Sequence, residues 1–164
     1  MTQPLSVLFL CTHNSARSIL AEALLNHLGK GRFIAYSAGS APRANGQPNP
    51  LAVQTLQDAG IATQGLHSKS WDQFIGPDAP PIDLVITVCG NAEQACPIFP
   101  GRPATAHWGY DDPSAGEASD DIKRVAFRTT LFLLRRRLEA FTSLPDAALH
   151  KLALQQSARN LAQH

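Results

Sequence analysis

Ser6-Val7-Leu8-Phe9-Leu10-Cys11-Thr12-His13-Asn14-Ser15-Ala16-Arg17-Ser18 passes from an unbroken apolar run into a polar turn and then toward a helix. The length and composition of its first part suit a strand buried on both faces, as in a parallel sheet. Downstream, Ile19, Leu20, Ala23, Leu24 and His27-Leu28 recur at helical spacing, and Gly29 supplies a stop. Phe33 to Ala38 predicts a second strand, and Gly39 to Gly46 a loop. Asn49-Pro50 is an N-cap followed by proline at the first helical position, and that helix ends at Gly60. Asp83 to Val88 is a third buried strand after the proline-rich stretch Pro77 to Pro81, and a short fourth strand fits Ala104 to His107.

Ser119-Asp120-Asp121 opens the longest helix. Its acidic first turn and Arg135-Arg136-Arg137, read as a solvated run near its end, complement the helix dipole. Pro145-Asp146 breaks it, and a final helix is expected from Ala147 to about Leu161. The alternation predicts an α/β fold, an open four-stranded parallel sheet flanked by helices. Residues 1–142 are read as the sheet domain and 143–164 as a C-terminal helical extension. Ligands in such sheets sit at the C-terminal ends of strands. Cys11 closes the first strand and Cys89 the third, so both face one rim.

Composition narrows the function. The chain has 164 residues, the size of one domain, and 44% of them are hydrophobic, which excludes wholesale disorder. Lys and Arg number 14 against 13 Asp and Glu, a net charge of +1 that argues against a nucleic-acid partner. No apolar run approaches the ~18–20 residues of a membrane span. Met1-Thr2-Gln3-Pro4 has no basic leader character, so a cytoplasmic protein is expected. Three cysteines, Cys11, Cys89 and Cys96, are too few and odd in number for a secreted disulfide framework. Chemistry, metal binding or plain burial remain open for them. Trp71 and Trp108 read as packing residues.

Cys11 to Ser18 is C-x5-R-S between a strand and a helix. A loop of this length can curl around a tetrahedral oxyanion with the backbone N–H groups of Thr12, His13, Asn14, Ser15, Ala16, Arg17 and Ser18 turned inward. The helix adds its positive end, and the planar fork of Arg17 can grip two oxygens. Cys11 would then lie beneath the central atom as a thiolate, since helix N-termini and cations lower a thiol pKa. The Ser18 hydroxyl can donate to that thiolate. Phosphate or sulfate would bind as analogues.

These residues resemble the low-molecular-weight protein tyrosine phosphatase superfamily. The similarity rests on Val7 to Cys11, Asn14 to Ser18, Tyr36-Ser37-Ala38-Gly39 and His107-Trp108-Gly109-Tyr110-Asp111-Asp112-Pro113, and runs from about Val7 to Leu138. It implies the parallel fold, a Cys11 nucleophile, an Arg17 clamp and a general acid in Asp112, leaving Asp111 as a turn or cap residue. Glycine is common two residues after the nucleophile in that family, and His13 stands there; a left-handed backbone at that position would strain it.

Cys89-x6-Cys96 directly after the third strand resembles the thioredoxin-coupled arsenate reductases, which keep this fold and add a redox cysteine pair. Ser114-Ala115 follow Pro113 where phosphatases place tyrosines. The resemblance implies arsenate as substrate and a relay through Cys11, Cys89 and Cys96, recharged by electrons from thioredoxin. It requires no bound cofactor, and extends to a potassium ion behind the anion loop, with Asn14, Glu22, Ser37 and His67 at the matching positions. The acidic partner expected three residues past His67 is Ser70 here, and a hydrogen-bonded network propping the loop is the other reading of these side chains. The rival functions are a phosphotyrosine phosphatase, which needs neither Cys89 nor Cys96, and a non-catalytic oxyanion or thiol sensor. Zinc is disfavoured because C-x6-C is not a C-x2-C spacing and no histidine pair lies nearby.

Overall fold

β1 (Leu5–Cys11) is an inner strand of the sheet, with a neighbour on each side. The computed structural model describes residues 4–89, 100 and 103–149. Cys96, and the expected final helix beyond residue 149, lie outside the described residues. β1 leads through a tight loop into α1 (Arg17–Leu28), then β2 (Phe33–Gly39), α2 (Pro50–Asp58), β3 (Leu84–Cys89), β4 (Ala104–Tyr110) and α3 (Asp120–Thr142). Short 3-10 turns occupy Trp71–Phe74 and Asp146–Leu149. The sheet order is β2-β1-β3-β4 and every pairing is parallel. β1 pairs with β2 from Leu5↔Phe33 to Cys11↔Gly39, and with β3 from Val7↔Leu84 to Leu10↔Thr87.

This explains the apolar run. Successive side chains of a strand point to opposite faces, so a strand covered on both sides has no polar position. Val7 and Phe9 enter the larger core with α1, α2 and α3. Leu8 and Leu10 pack on the other face with Ala38, Phe74, Ile82 and Val85. Trp71 and Tyr36 lean on this second cluster, so the 3-10 turn serves as its cover.

Helix ends follow the sequence at two points. Asn49 accepts the Leu51 N–H ahead of Pro50, and Ser119 accepts the Ile122 N–H ahead of Asp120 and Asp121. The arginine run departs from its reading. α3 continues to Thr142 and has no basic residue in its last turn, so Arg135, Arg136 and Arg137 lie too far back to meet the dipole. Nor is Arg137 simply solvated: it is half-buried, its guanidinium 5.1 Å from the Tyr110 ring centroid and 6.0 Å from that of Trp108. β4 also runs to Tyr110, past the expected end at His107. Buried Ala104, Ala106, Trp108 and Tyr110 alternate along it, a period that Gly109 interrupts in composition but not in space.

Trp108 is fully buried and meets Phe141 of α3 edge-on at 6.1 Å, while Phe141 contacts Phe33 of β2 at 5.2 Å. This aromatic chain joins β4, α3 and β2. Trp108→Ala is expected to lower unfolding free energy by ~3–5 kcal/mol, read as a lower urea midpoint at unchanged slope. Among the described residues no helix is long and apolar enough to cross a membrane.

Candidate active site

The chain leaves β1 toward β2 on one side and later returns as β3 on the other, so the crevice at the end of β1 is a topological switch point. The loop from Thr12 to Ala16 occupies it. Asn14 takes the left-handed backbone, φ 48°, a conformation that asparagine tolerates better than most residues. His13 does not, so the strain considered for it does not arise; its Nδ1 lies 3.0 Å from the Ala41 carbonyl. The loop is held from outside: Ala41 N–H donates to the Thr12 carbonyl, Asn49 N–H to the Ser15 carbonyl, and Ser68 Oγ to the His13 carbonyl. Gly39 backs it so closely that a Cβ there would stand 2.5 Å from the Thr12 carbonyl oxygen.

Arg17 opens α1 and turns back over the rim. One terminal nitrogen donates to the Tyr110 carbonyl at 3.0 Å, and the other lies 3.8 Å from Asp112 Oδ2. Its Nε is buried without a hydrogen-bond partner, a donor left for an anion. Asp112 keeps Oδ1 on the Ser114 N–H and hydroxyl, at 2.9 and 2.7 Å, and presents Oδ2 to the arginine. The turn-capping role expected of Asp111 is thus filled by Asp112 itself. Asp111 is exposed and lines a shallow cavity of about 400 Å³ with Leu133, Arg136 and Arg137.

Cys11 and Cys89 meet beneath the loop as free thiols, both buried, with sulfurs 3.0 Å apart. Thr12 turns its N–H to the Cys89 sulfur at 3.1 Å, and its hydroxyl lies 3.7 Å from it. Two thiols this close share one proton. The hydrogen bond with Cys11, helped by Thr12 and Arg17 against the effect of burial, pulls Cys89 down to about 6. The hydrogen bond with Cys89, together with burial, pushes Cys11 up despite Arg17. The sequence places the thiolate on Cys11 alone; the structure spreads it over the pair. In a Cys96→Ser background, thiolate absorbance should therefore rise by one equivalent with a midpoint near pH 6, and no second equivalent should appear below the ordinary thiol range. Two equivalents by neutral pH would refute the shared proton.

Ser18 Oγ accepts the Asn14 side-chain N–H at 2.8 Å, and no bond joins it to Cys11 among the described residues. Asn14 is fully buried and also donates to Ser37 Oγ, which donates to Glu22 Oε1. His67 turns its ring out to the Gly65 carbonyl and presents its own carbonyl to the Lys69 ammonium at 2.9 Å. Lys69, which the sequence reading passes over, lies 3.7 Å from Glu22 Oε1 and gives its backbone N–H to Asn14 Oδ1. Nothing in a loop lysine signals burial; only the structure reveals it.

A model of the low molecular weight phosphotyrosine protein phosphatase family matches residues 6–155. The arsenate reductase of Halalkalibacterium halodurans is 36% identical over 135 residues, covering 82% of this chain and 93% of the relative. Among solved structures, an arsenate reductase in the phosphate binding state superposes with a TM-score of 0.66 at 26% identity, covering 85% of this chain and 97% of the other. A thioredoxin-dependent arsenate reductase of Corynebacterium glutamicum gives 0.55 at 27% identity, covering 85% of this chain and 65% of that one.

Proposed function

The chain belongs to the low molecular weight phosphotyrosine protein phosphatase family, and from that premise we propose that it is an arsenate reductase working through its cysteines. The observation that carries the reading is the 3.0 Å contact between Cys11 and Cys89. Phosphate-ester hydrolysis needs one thiol under the loop. A second thiol touching the first supplies the electron pair that reduction requires.

The arsenate oxygens sit against the loop N–H groups from His13 to Ser18 and the Arg17 fork, while the Thr12 N–H, expected to join them, is turned to the Cys89 sulfur instead. The shared proton passes from Cys11 to the Cys89 sulfur across their 3.0 Å contact as the Cys11 sulfur attacks arsenic; a sulfur–arsenic bond forms and a water leaves, protonated from Asp112. The Cys89 sulfur then attacks the Cys11 sulfur, its proton passing to an arsenic-bound oxygen. The sulfur–sulfur bond forms, the sulfur–arsenic bond breaks, and its electron pair stays on arsenic, which departs as arsenite. Cys96 next attacks Cys89, releasing the Cys11 thiolate. Thioredoxin reduces the Cys89–Cys96 bridge by thiol–disulfide exchange. This last partner is supported by the Corynebacterium relative and by the C-x6-C spacing, the Cys96 end of which lies outside the described residues. A cytoplasmic location fits such a reductant.

The test is NADPH oxidation with arsenate, thioredoxin and thioredoxin reductase. Many turnovers per enzyme are expected. A single turnover would remove thioredoxin from the proposal, and no arsenite at all, with phosphatase turnover instead, would overturn it.

A further inference from the structure

We infer that the Lys69 ammonium is a built-in cation that takes the place of a potassium ion behind the anion loop, closes that site to monovalent metal, and positions the loop through Asn14. The residues that match the potassium position are Asn14, Glu22, Ser37 and His67, and each has its oxygen committed elsewhere. Asn14 Oδ1 accepts the Lys69 N–H at 3.0 Å. Ser37 Oγ accepts from Asn14 at 2.9 Å and donates to Glu22 at 2.6 Å. The His67 carbonyl accepts the Lys69 ammonium at 2.9 Å. Glu22 faces that ammonium at 3.7 Å, and both side chains are buried, 14% and 8% exposed.

A buried carboxylate needs a compensating charge close by. Lys69 provides it from within the chain, and a potassium ion coordinated by the same oxygens would be repelled by the ammonium at short range. Ser70, where an acidic ligand would help to hold a metal, spends its hydroxyl on the Asp72 N–H. The residues present therefore do not fit potassium. Lys69 reaches the loop twice: its backbone N–H fixes Asn14 Oδ1, and its ammonium fixes Glu22, which fixes Ser37, which takes the Asn14 amide. Asn14 is the loop residue in the left-handed conformation, so both routes converge where the loop bends. Lys69 is a positioning residue, since it touches none of the reacting atoms.

The readout is binding of inorganic phosphate by calorimetry, which stands apart from the reductase reading. It is measured in potassium, sodium and tetramethylammonium chloride at equal ionic strength. The native protein is expected to give one affinity and one melting temperature in all three salts. Lys69→Ala, which keeps the backbone bond to Asn14 but opens the cation position, is expected to bind phosphate ~10-fold more weakly in tetramethylammonium. Potassium should restore much of that loss and raise the melting temperature of this variant alone. Selective stabilisation of the native protein by potassium would overturn the inference. So would a Lys69→Ala variant with native affinity in every salt, or with a loss that no small cation repairs. If Lys69→Ala does not fold, Lys69→Met is read in the same way, and failure of both to fold in potassium counts against the exchange of one cation for the other.

Discussion

Cys89→Ser is expected to stop arsenite production, with a loss of ~10³-fold or more in thioredoxin-coupled turnover, the scale on which removal of a reacting group falls. The substitution keeps an oxygen where the sulfur stood, so the Thr12 N–H and hydroxyl retain an acceptor. The loop, Arg17 and Asp112 are untouched, and phosphate should still bind. What disappears is the group that attacks the Cys11 sulfur. A hydroxyl cannot complete a disulfide, so an arsenic adduct on Cys11 would simply revert. Hydrolysis of an aryl phosphate ester needs only Cys11, Arg17 and Asp112, and whatever rate the native protein shows should survive in this variant. Measuring arsenite and ester hydrolysis side by side separates the two chemistries. Arsenite output at the native rate from Cys89→Ser would remove Cys89 from the reaction.

Gly39→Ala should be nearly as damaging without touching a reacting atom. A methyl group there would meet the Thr12 carbonyl oxygen at 2.5 Å, the Cys11 carbonyl oxygen at 2.8 Å and the Asn14 nitrogen at 3.0 Å. All three are backbone atoms and cannot rotate away. The loop must move, and displacements approaching an ångström at a reacting centre lower rates by ~10²-fold. The expected result is that loss in kcat/KM with weaker phosphate binding, and a stability decrease of ~1–3 kcal/mol from overpacking. Thermal denaturation with and without phosphate separates the two effects: phosphate should raise the native melting temperature much more than that of the variant. Equal stabilisation would show that the loop absorbs the methyl group.

The parallel sheet was legible because each inner strand is apolar without alternation and each helix carries its own stop. The anion loop was legible because Cys11 and Arg17 stand at a fixed spacing across a strand-to-helix turn. The meeting of Cys11 and Cys89 could be anticipated only as a shared rim, since parallel strands put their ends together but say nothing of side-chain distance. The proton shared between the sulfurs, the buried Lys69 and the stacked Arg137 depend on contacts between segments far apart in the chain. None has a local pattern: a lysine or arginine looks the same in sequence whether its charge is hydrated or enclosed. The end of β4 was missed for a related reason, since Trp108 and Tyr110 continue the buried alternation past His107 on either side of an exposed Gly109.

Cys11 and Cys89 are neighbours in the sheet but 78 positions apart in sequence. When the proposed cycle joins them, the protein acquires a tether around nearly half of its own chain. A bridge closing a loop of that span removes conformational freedom from the unfolded chain equivalent to about 4.5 kcal/mol in the chain-entropy model. The oxidised intermediate should therefore be harder to unfold than the reduced protein. Transfer of the bridge to Cys89 and Cys96 shrinks the loop to a few residues, for which the same model gives about 2.5 kcal/mol, so close to half of that restraint is released. Catalysis in this chain thus doubles as a cycle of tightening and loosening, in which resistance to heat or denaturant reports the step at which the enzyme is waiting.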